Sequence, residues 1–167
     1  PPKLGRMLRV VVADDSVLLR EGLVRVLIEA GVDVVGSYGD ADSMLAQLEA
    51  LHPDLIVLDV RMPPTYRDEG VRAAIRAREV QPDVGILLLS QYVEVAYAQE
   101  LLSSGRGGVG YLLKDRVASL AQLQDAVERI AAGGQPRPLF LPCDLRDIGA
   151  LRKAVAEVGE TLGPIRV

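Results

Sequence analysis

Residues 8–15 of the chain read LRVVVADD, a short apolar run that ends in two aspartates. A run of this length predicts a buried strand rather than a helix. Three later apolar runs also end on a polar residue: DLIVL precedes Asp59, GILLL precedes Ser90 and GYLL precedes Lys114. In an open parallel sheet, ligands bind beyond the carboxyl ends of the strands. These groups are therefore expected to converge on one site.

The apolar runs alternate with longer segments in which apolar residues recur every three or four positions. This alternation is typical of β-α units on a parallel sheet, and it predicts an α/β, doubly wound fold. Ser16 is predicted to cap the first helix, and Gly31 to end it. The predicted strands cover 8–13, 32–37, 54–58, 84–89 and 109–113, and the third and fourth helices cover 71–80 and 93–104.

Composition excludes several classes of protein. With 167 residues and a net charge of -4, the chain has no strong electrostatic attraction to nucleic acid or to an anionic membrane. No apolar stretch reaches the roughly 20 residues that cross a bilayer. Cys143 is the only cysteine, which excludes an internal disulfide framework and fits a reducing cytoplasm. We expect a cytoplasmic protein that binds neither nucleic acid nor membrane by this chain alone.

The carboxylates at the strand ends indicate a metal-assisted phosphoryl site. Asp14, Asp15 and Asp59 repel one another if all are ionised, unless a cation neutralises them. A set of oxygen ligands without His or Cys favours Mg²⁺. Such a carboxylate can attack a phosphoryl donor to give an aspartyl phosphate, while a metal and a lysine offset the charge. The alternative is structural, because any one of these residues could simply cap a helix.

Four ordered motifs together resemble the receiver domain of response regulators, closest to the NarL/FixJ type. They are VVADDSVLLREGL, LIVLDVRMPP, ILLLSQY and GYLLKD, and the resemblance covers about residues 8–132. It implies a flavodoxin-like receiver fold with strand order 2-1-3-4-5. It also implies a two-component signalling protein that a histidine kinase or a small phosphodonor phosphorylates.

The resemblance also implies roles for the residues of the acidic cluster. Asp59 becomes the phosphoacceptor and Asp15 a direct Mg²⁺ ligand. Asp14 becomes an acidic partner that acts through water, and the backbone carbonyl of Arg61 a third ligand. Activity is then limited to self-phosphorylation and autodephosphorylation at Asp59. The segment PPTYRDEG that follows is longer than the usual loop at this place.

Three further residues match positions that change state in receivers. The resemblance makes Ser90 the hydroxyl that reorients onto the phosphoryl group and Lys114 its charge partner. Tyr111 matches the switch aromatic, although a tyrosine on an edge strand can also pack usefully without switching anything. Asp115 follows the lysine where many receivers have proline, so we expect a trans peptide there.

The end of the chain departs from the receiver pattern. Nothing after Gly134 resembles a helix-turn-helix domain, and we expect no DNA-binding output domain in this chain. The segment 138–167, after a joint at 133–137, resembles an internal strand-helix-strand piece of a short-chain dehydrogenase. In that family Asp144 would lie near the cofactor adenine, but the glycine fingerprint and the catalytic pair are missing, so no dehydrogenase activity or cofactor site is expected.

Two hypotheses describe this arrangement. The chain could be a chimeric, engineered α/β scaffold with an inherited site that does not signal, or a natural receiver with a coincidental extension. A right-handed crossover would add the extra β-α unit beside the fifth strand. There it would cover the output face, or pair with another chain to give a homodimer.

Two local signals are discounted. Gly105, Gly107 and Gly110 spell the dinucleotide fingerprint, but they open a predicted strand rather than a helix. The only histidine, His52, lies at a predicted helix end beside a proline and is interpreted as a surface or cap residue.

Overall fold

The computed structural model describes residues 6–91, 108–114 and Ile130. Within these residues, five parallel strands form one sheet in the order β2-β1-β3-β4-β5. This confirms the predicted fold class and strand order, and each predicted strand lies within one residue of its observed position. The strands are β1 (Arg9–Ala13), β2 (Asp33–Tyr38), β3 (Leu55–Asp59), β4 (Gly85–Ser90) and β5 (Val109–Leu113).

Helix α1 (Val17–Glu29) follows β1 and begins as the sequence predicts. The Oγ atom of Ser16 accepts a hydrogen bond from the backbone N–H of Leu19 at 3.4 Å, which makes it the N-cap. The helix ends before Gly31, whose φ of +81° places it in the left-handed region that glycine adopts without steric cost. Both predicted boundary signals are therefore confirmed.

Helices α2 (Ala41–Leu51) and α3 (Glu69–Val80) follow β2 and β3. Helix α2 ends at exposed His52, which has a φ of 45° and forms the C-cap. This confirms the cap interpretation of the histidine. Helix α3 begins at Glu69, two residues before the predicted start at 71.

Alternate residues of each central strand pack on opposite faces of the sheet. Val11, Ile56 and Leu88 contribute to the cluster that contains buried residues of α2 and α3. Val10 and Val57 contribute to the cluster that contains buried residues of α1. Strands β3 and β4 are buried along their whole length. Burial on both faces explains why their sequences are continuous apolar runs rather than alternating ones.

Gly110 lies inside β5, where neighbouring side chains pack closely against it. A Cβ atom there would be 2.8 Å from Cδ1 of Ile130, which packs against this face of the sheet. The glycine thus lies in a closely packed strand, not at a helix start where it could cradle a phosphate. The position of Gly110 within a strand therefore argues against the dinucleotide fingerprint.

Several predictions fall outside the described residues. They are the fourth helix at 93–104, the peptide between Lys114 and Asp115, the joint at 133–137 and the appended segment 138–167. The extra β-α unit and the chimera hypothesis therefore stay predictions. Among the described helices, none is long and apolar enough to cross a membrane.

Candidate functional site

Three carboxylates meet at the carboxyl ends of β1 and β3. These strands are parallel neighbours, with Ala13 opposite Leu58, so the residues that follow each of them lie side by side. Asp14, Asp15 and Asp59 each present an oxygen such that all three oxygens lie within 4.8 Å of one another. Asp14 and Asp59 are 0% and 3% exposed, whereas Asp15 is exposed. The predicted convergence of the aspartates is confirmed.

Lys114 brings a positive charge into this cluster. It follows β5, two strands away from β3, and its side chain crosses the end of β4 to reach the carboxylates. Its Nζ donates to Oδ2 of Asp59 at 2.8 Å and lies 3.0 Å from Oδ2 of Asp14. Burial alone would lower the pKa of Lys114, but its two carboxylate partners outweigh burial and raise it. The ammonium therefore stays charged while it faces the site.

The backbone and side chain of Asp14 are fixed by neighbouring groups. Its N–H donates to the carbonyl of Tyr38 at 3.0 Å, and its Oδ1 accepts from the N–H of Ser16 at 2.8 Å. Its carbonyl accepts from Nη1 of Arg20 at 2.5 Å. Its Oδ2 is buried and faces the ammonium of Lys114, with which it forms an ion pair at 3.0 Å.

Asp59 is costly to ionise in the folded protein. Burial first, and the negative charge of Asp14 second, raise its pKa to a net value of about 6. The hydrogen bond from Lys114, and another from the N–H of Arg61 at 3.2 Å, act in the opposite direction. Near neutral pH the carboxylate is still mostly ionised, which a nucleophile requires.

The cluster fits a divalent cation. Its donors are all oxygens, one from each aspartate, and they lie within 4.8 Å of one another. Asp14 and Asp59 are buried and share the single ammonium of Lys114, so one positive charge faces two buried carboxylates. Buried carboxylate oxygens are normally satisfied by donors or metals. Hard oxygen donors with one exposed member match the way in which Mg²⁺ binds through few carboxylates while keeping waters.

Ser90 and Tyr111 lie near the cluster in the sheet. Ser90 ends β4, is 2% exposed and pairs with Leu113, the residue before Lys114. Tyr111 is 6% exposed and packs in the cluster that contains residues of α2 and α3. The structure thus places both residues on the two strands that lead to the site. Their roles in switching stay predictions.

The sequence did not reveal how the loop after Asp59 is held. Oε1 of Glu69 accepts from the N–H of Thr65 at 3.0 Å and from its Oγ1, and Oε2 accepts from the N–H of Arg67 at 2.9 Å. The contact of Arg20 with the carbonyl of Asp14 was also missed. Both are side-chain contacts with irregular backbone, and no periodic pattern in the sequence announces such contacts.

Comparison with known proteins identifies the family to which this fold belongs. The family model "Response regulator receiver domain" matches residues 10–128. The chain belongs to this receiver family. The transcriptional regulatory protein NarL of Mycobacterium tuberculosis is 39% identical over 156 residues, which cover 92% of this chain and 68% of that protein. DegU of Brevibacillus brevis is 34% identical over 128 residues, which cover 76% of this chain and 51% of that protein.

Solved structures agree with this assignment. The receiver domain of NarL from M. tuberculosis superposes with a TM-score of 0.66 and 35% identity, covering 78% of this chain and 99% of that domain. The non-phosphorylated receiver domain of RcsB from Escherichia coli superposes with a TM-score of 0.67 at 23% identity, which supports the fold alone.

The receiver spans only part of its longer relatives. The chain covers 51%, 55% and 56% of the lengths of the first three curated relatives. These comparisons identify a two-component receiver and not a dehydrogenase. The alignment with NarL, at 92% of the chain, necessarily runs past residue 132. It gives no support to the chimera hypothesis.

Proposed function

We propose that this receiver accepts a phosphoryl group on Asp59 from a histidine kinase or from a small donor such as acetyl phosphate, and that it does so with Mg²⁺. One observation carries the proposal. Asp59 is a buried carboxylate that contacts Lys114 at 2.8 Å and shares a 4.8 Å cluster with two further carboxylates. A merely structural aspartate has no reason to be buried among like charges.

The transfer uses the ionised form of Asp59. One carboxylate oxygen forms a bond to phosphorus while the bond from phosphorus to the donor's leaving atom breaks. The leaving group, an imidazole nitrogen or a carboxylate oxygen, takes the bonding electron pair. Lys114 stays protonated and offsets negative charge at the phosphoryl oxygens. Hydrolysis of the acyl phosphate by water then returns the carboxylate and releases phosphate.

The metal ligands are assigned to residues around the same carboxylate. Asp15, Asp14, Asp59 and the backbone carbonyl of Arg61 would hold Mg²⁺. When bound, the ion neutralises charge on the transferring phosphoryl group. Because Asp15 is exposed, the ion and the phosphodonor would approach the site from its side of the cluster.

The consequence of phosphorylation is a change between two conformations. In this proposal the hydroxyl of Ser90 moves onto the phosphoryl group, and Tyr111 repacks on its strand. Moving such an equilibrium from 1:99 to 99:1 takes about 5.5 kcal/mol of differential stabilisation. A cytoplasmic location, which fits the single cysteine, and a homodimer formed by pairing at the sheet edge are further parts of the proposal.

Acetyl phosphate with Mg²⁺ tests the proposal on the whole chain, with the added phosphoryl group measured by intact mass. We expect modification of the wild type and of Asp42→Asn, which alters an exposed aspartate at the start of α2. We expect none in Asp59→Asn. Equal modification of all three proteins would refute the assignment of Asp59.

A further inference from the structure

The loop between β3 and α3 is closed at both ends. The N–H of Gly70 donates to the carbonyl of Val60 at 2.9 Å, so the two ends of the loop meet. Inside the loop, the N–H of Tyr66 donates to the carbonyl of Met62 at 3.0 Å, and the side chain of Met62 is 0% exposed. The loop therefore has its own internal hydrogen bonds, and Met62 anchors it in the core.

Glu69 holds the middle of this loop. Its carboxylate accepts hydrogen bonds from the backbone and hydroxyl of Thr65 and from the backbone of Arg67. Burial would raise the pKa of Glu69, but these hydrogen bonds outweigh burial and lower it to about 2. The side chain therefore acts as a charged acceptor across the physiological pH range. Hydrogen bonds to a charged acceptor are stronger than neutral ones.

Both ends of the loop touch the phosphoacceptor. At one end, the N–H of Arg61 donates to Oδ1 of Asp59 at 3.2 Å. At the other end, a Cβ atom on Gly70 would lie 1.8 Å from the carbonyl oxygen of Asp59, so this backbone contact is possible only with glycine. Glu69 is adjacent to that contact. What fixes the loop conformation therefore also fixes the backbone around Asp59.

We propose that Glu69 is a positioning residue for the metal site. By binding Thr65 and Arg67, it fixes the loop so that the backbone of Arg61 stays in place beside Asp59. This inference rests on the proposed function, because it assumes that the carbonyl of Arg61 binds Mg²⁺. Loss of the Glu69 contacts is expected to weaken Mg²⁺ binding without removing any ligand.

Two substitutions break the contacts in different ways. Glu69→Gln keeps one acceptor oxygen but turns the other position into an amide donor, which cannot accept from a backbone N–H. Thr65→Val removes only the hydroxyl and keeps the side-chain shape. Thr65→Ser restores the hydroxyl and serves as the conservative rescue. Glu79→Gln makes the same chemical change as Glu69→Gln, on an exposed side chain in the last turn of α3.

The readout is the rate of phosphorylation by acetyl phosphate as a function of Mg²⁺ concentration, with thermal unfolding measured in parallel. We expect the half-saturating Mg²⁺ concentration to rise about tenfold in Glu69→Gln, the lower end of what loss of an outer support for a metal ligand costs. We expect a smaller rise in Thr65→Val. The maximal rate at saturating Mg²⁺ stays within about twofold of wild type, since no ligand is lost. Thr65→Ser and Glu79→Gln behave as wild type.

Other outcomes overturn the inference. A lower maximal rate with unchanged half-saturation would mean that Glu69 only supports folding. Unchanged half-saturation in both Glu69→Gln and Thr65→Val would mean that the loop does not position the metal. A wild type whose phosphorylation ignores Mg²⁺ would refute the proposed metal site along with the inference. That failure is visible in the wild type alone, whereas failure of the Glu69 role appears only in the variants.

Discussion

The two aspartates at the ends of β3 have opposite surroundings. Asp54 precedes the strand, and its carboxylate accepts from the backbone N–H of Arg9 at 2.9 Å and pairs with Arg6. Asp59 ends the strand, is buried, and lies among two other carboxylates with Lys114 as its cation. The first carboxylate is surrounded by donors. The second is placed against like charge, which costs stability and fits a site that binds a cation.

From this contrast, we expect the largest loss of stability when Lys114 is replaced. In Lys114→Met, the buried charges of Asp14 and Asp59 lose their common partner, and the free energy of unfolding is expected to fall by about 3 kcal/mol in Mg²⁺-free buffer at pH 8. Chemical denaturation in EDTA measures it. Millimolar Mg²⁺ is expected to restore part of the loss, because a cation again faces the carboxylates.

A surface ion pair provides the matched control for this substitution. Arg72 pairs with Asp68 at 3.1 Å, but its side chain is 73% exposed. Arg72→Met is expected to change the free energy of unfolding by no more than about 0.5 kcal/mol. Similar losses in the two variants would show that the buried carboxylates depend on Lys114 no more than Asp68 depends on Arg72.

The pH dependence of stability provides a second test of the contrast between Asp54 and Asp59. The pKa of Asp59 is raised from its usual value to about 6, mainly by burial. The folded state therefore binds this proton more tightly than the unfolded state does. The contribution of Asp59 to stability is fully present below about pH 4 and is lost as the pH rises through about 6.

Without Mg²⁺, this loss is expected to be on the order of 2 kcal/mol between pH 4 and pH 7. It is measured as the difference between the pH profiles of wild type and Asp59→Asn in EDTA. A wild-type profile parallel to that of the variant would contradict the raised pKa. Saturating Mg²⁺ should flatten the difference or reverse it, since the ion binds the ionised carboxylate.

A smaller effect than at Lys114 or Asp59 is expected at the other end of the strand. Asp54→Asn keeps an oxygen that can accept from the N–H of Arg9 and weakens the contact with Arg6, which is a half-exposed pair. We expect a loss of about 0.5–1 kcal/mol and normal phosphorylation. A variant that unfolds as wild type does but no longer takes a phosphoryl group would show that the two ends of β3 are coupled.

The sequence predicted the fold and the acidic cluster because both depend on regular structure. Buried parallel strands are apolar along their length, so their ends, and hence Asp14, Asp59 and Lys114, could be located without coordinates. Side-chain contacts with irregular backbone could not be located in this way. The segment PPTYRDEG was recognised only as a long loop, and Glu69 as its organising residue was missed, since no spacing rule relates it to Thr65 and Arg67.

The contact between Gly70 and Asp59 has a mechanical consequence for the whole domain. A hydrogen bond to Val60 prevents the start of α3 from separating from β3, and a contact too close for any side chain prevents it from moving nearer. The start of α3 is therefore held directly against the backbone of Asp59. At its other end, the same helix reaches the edge strand, where Arg78 donates to the carbonyl of Gly108 at 3.0 Å. Helix α3 thus connects the backbone at residue 59 with the start of β5.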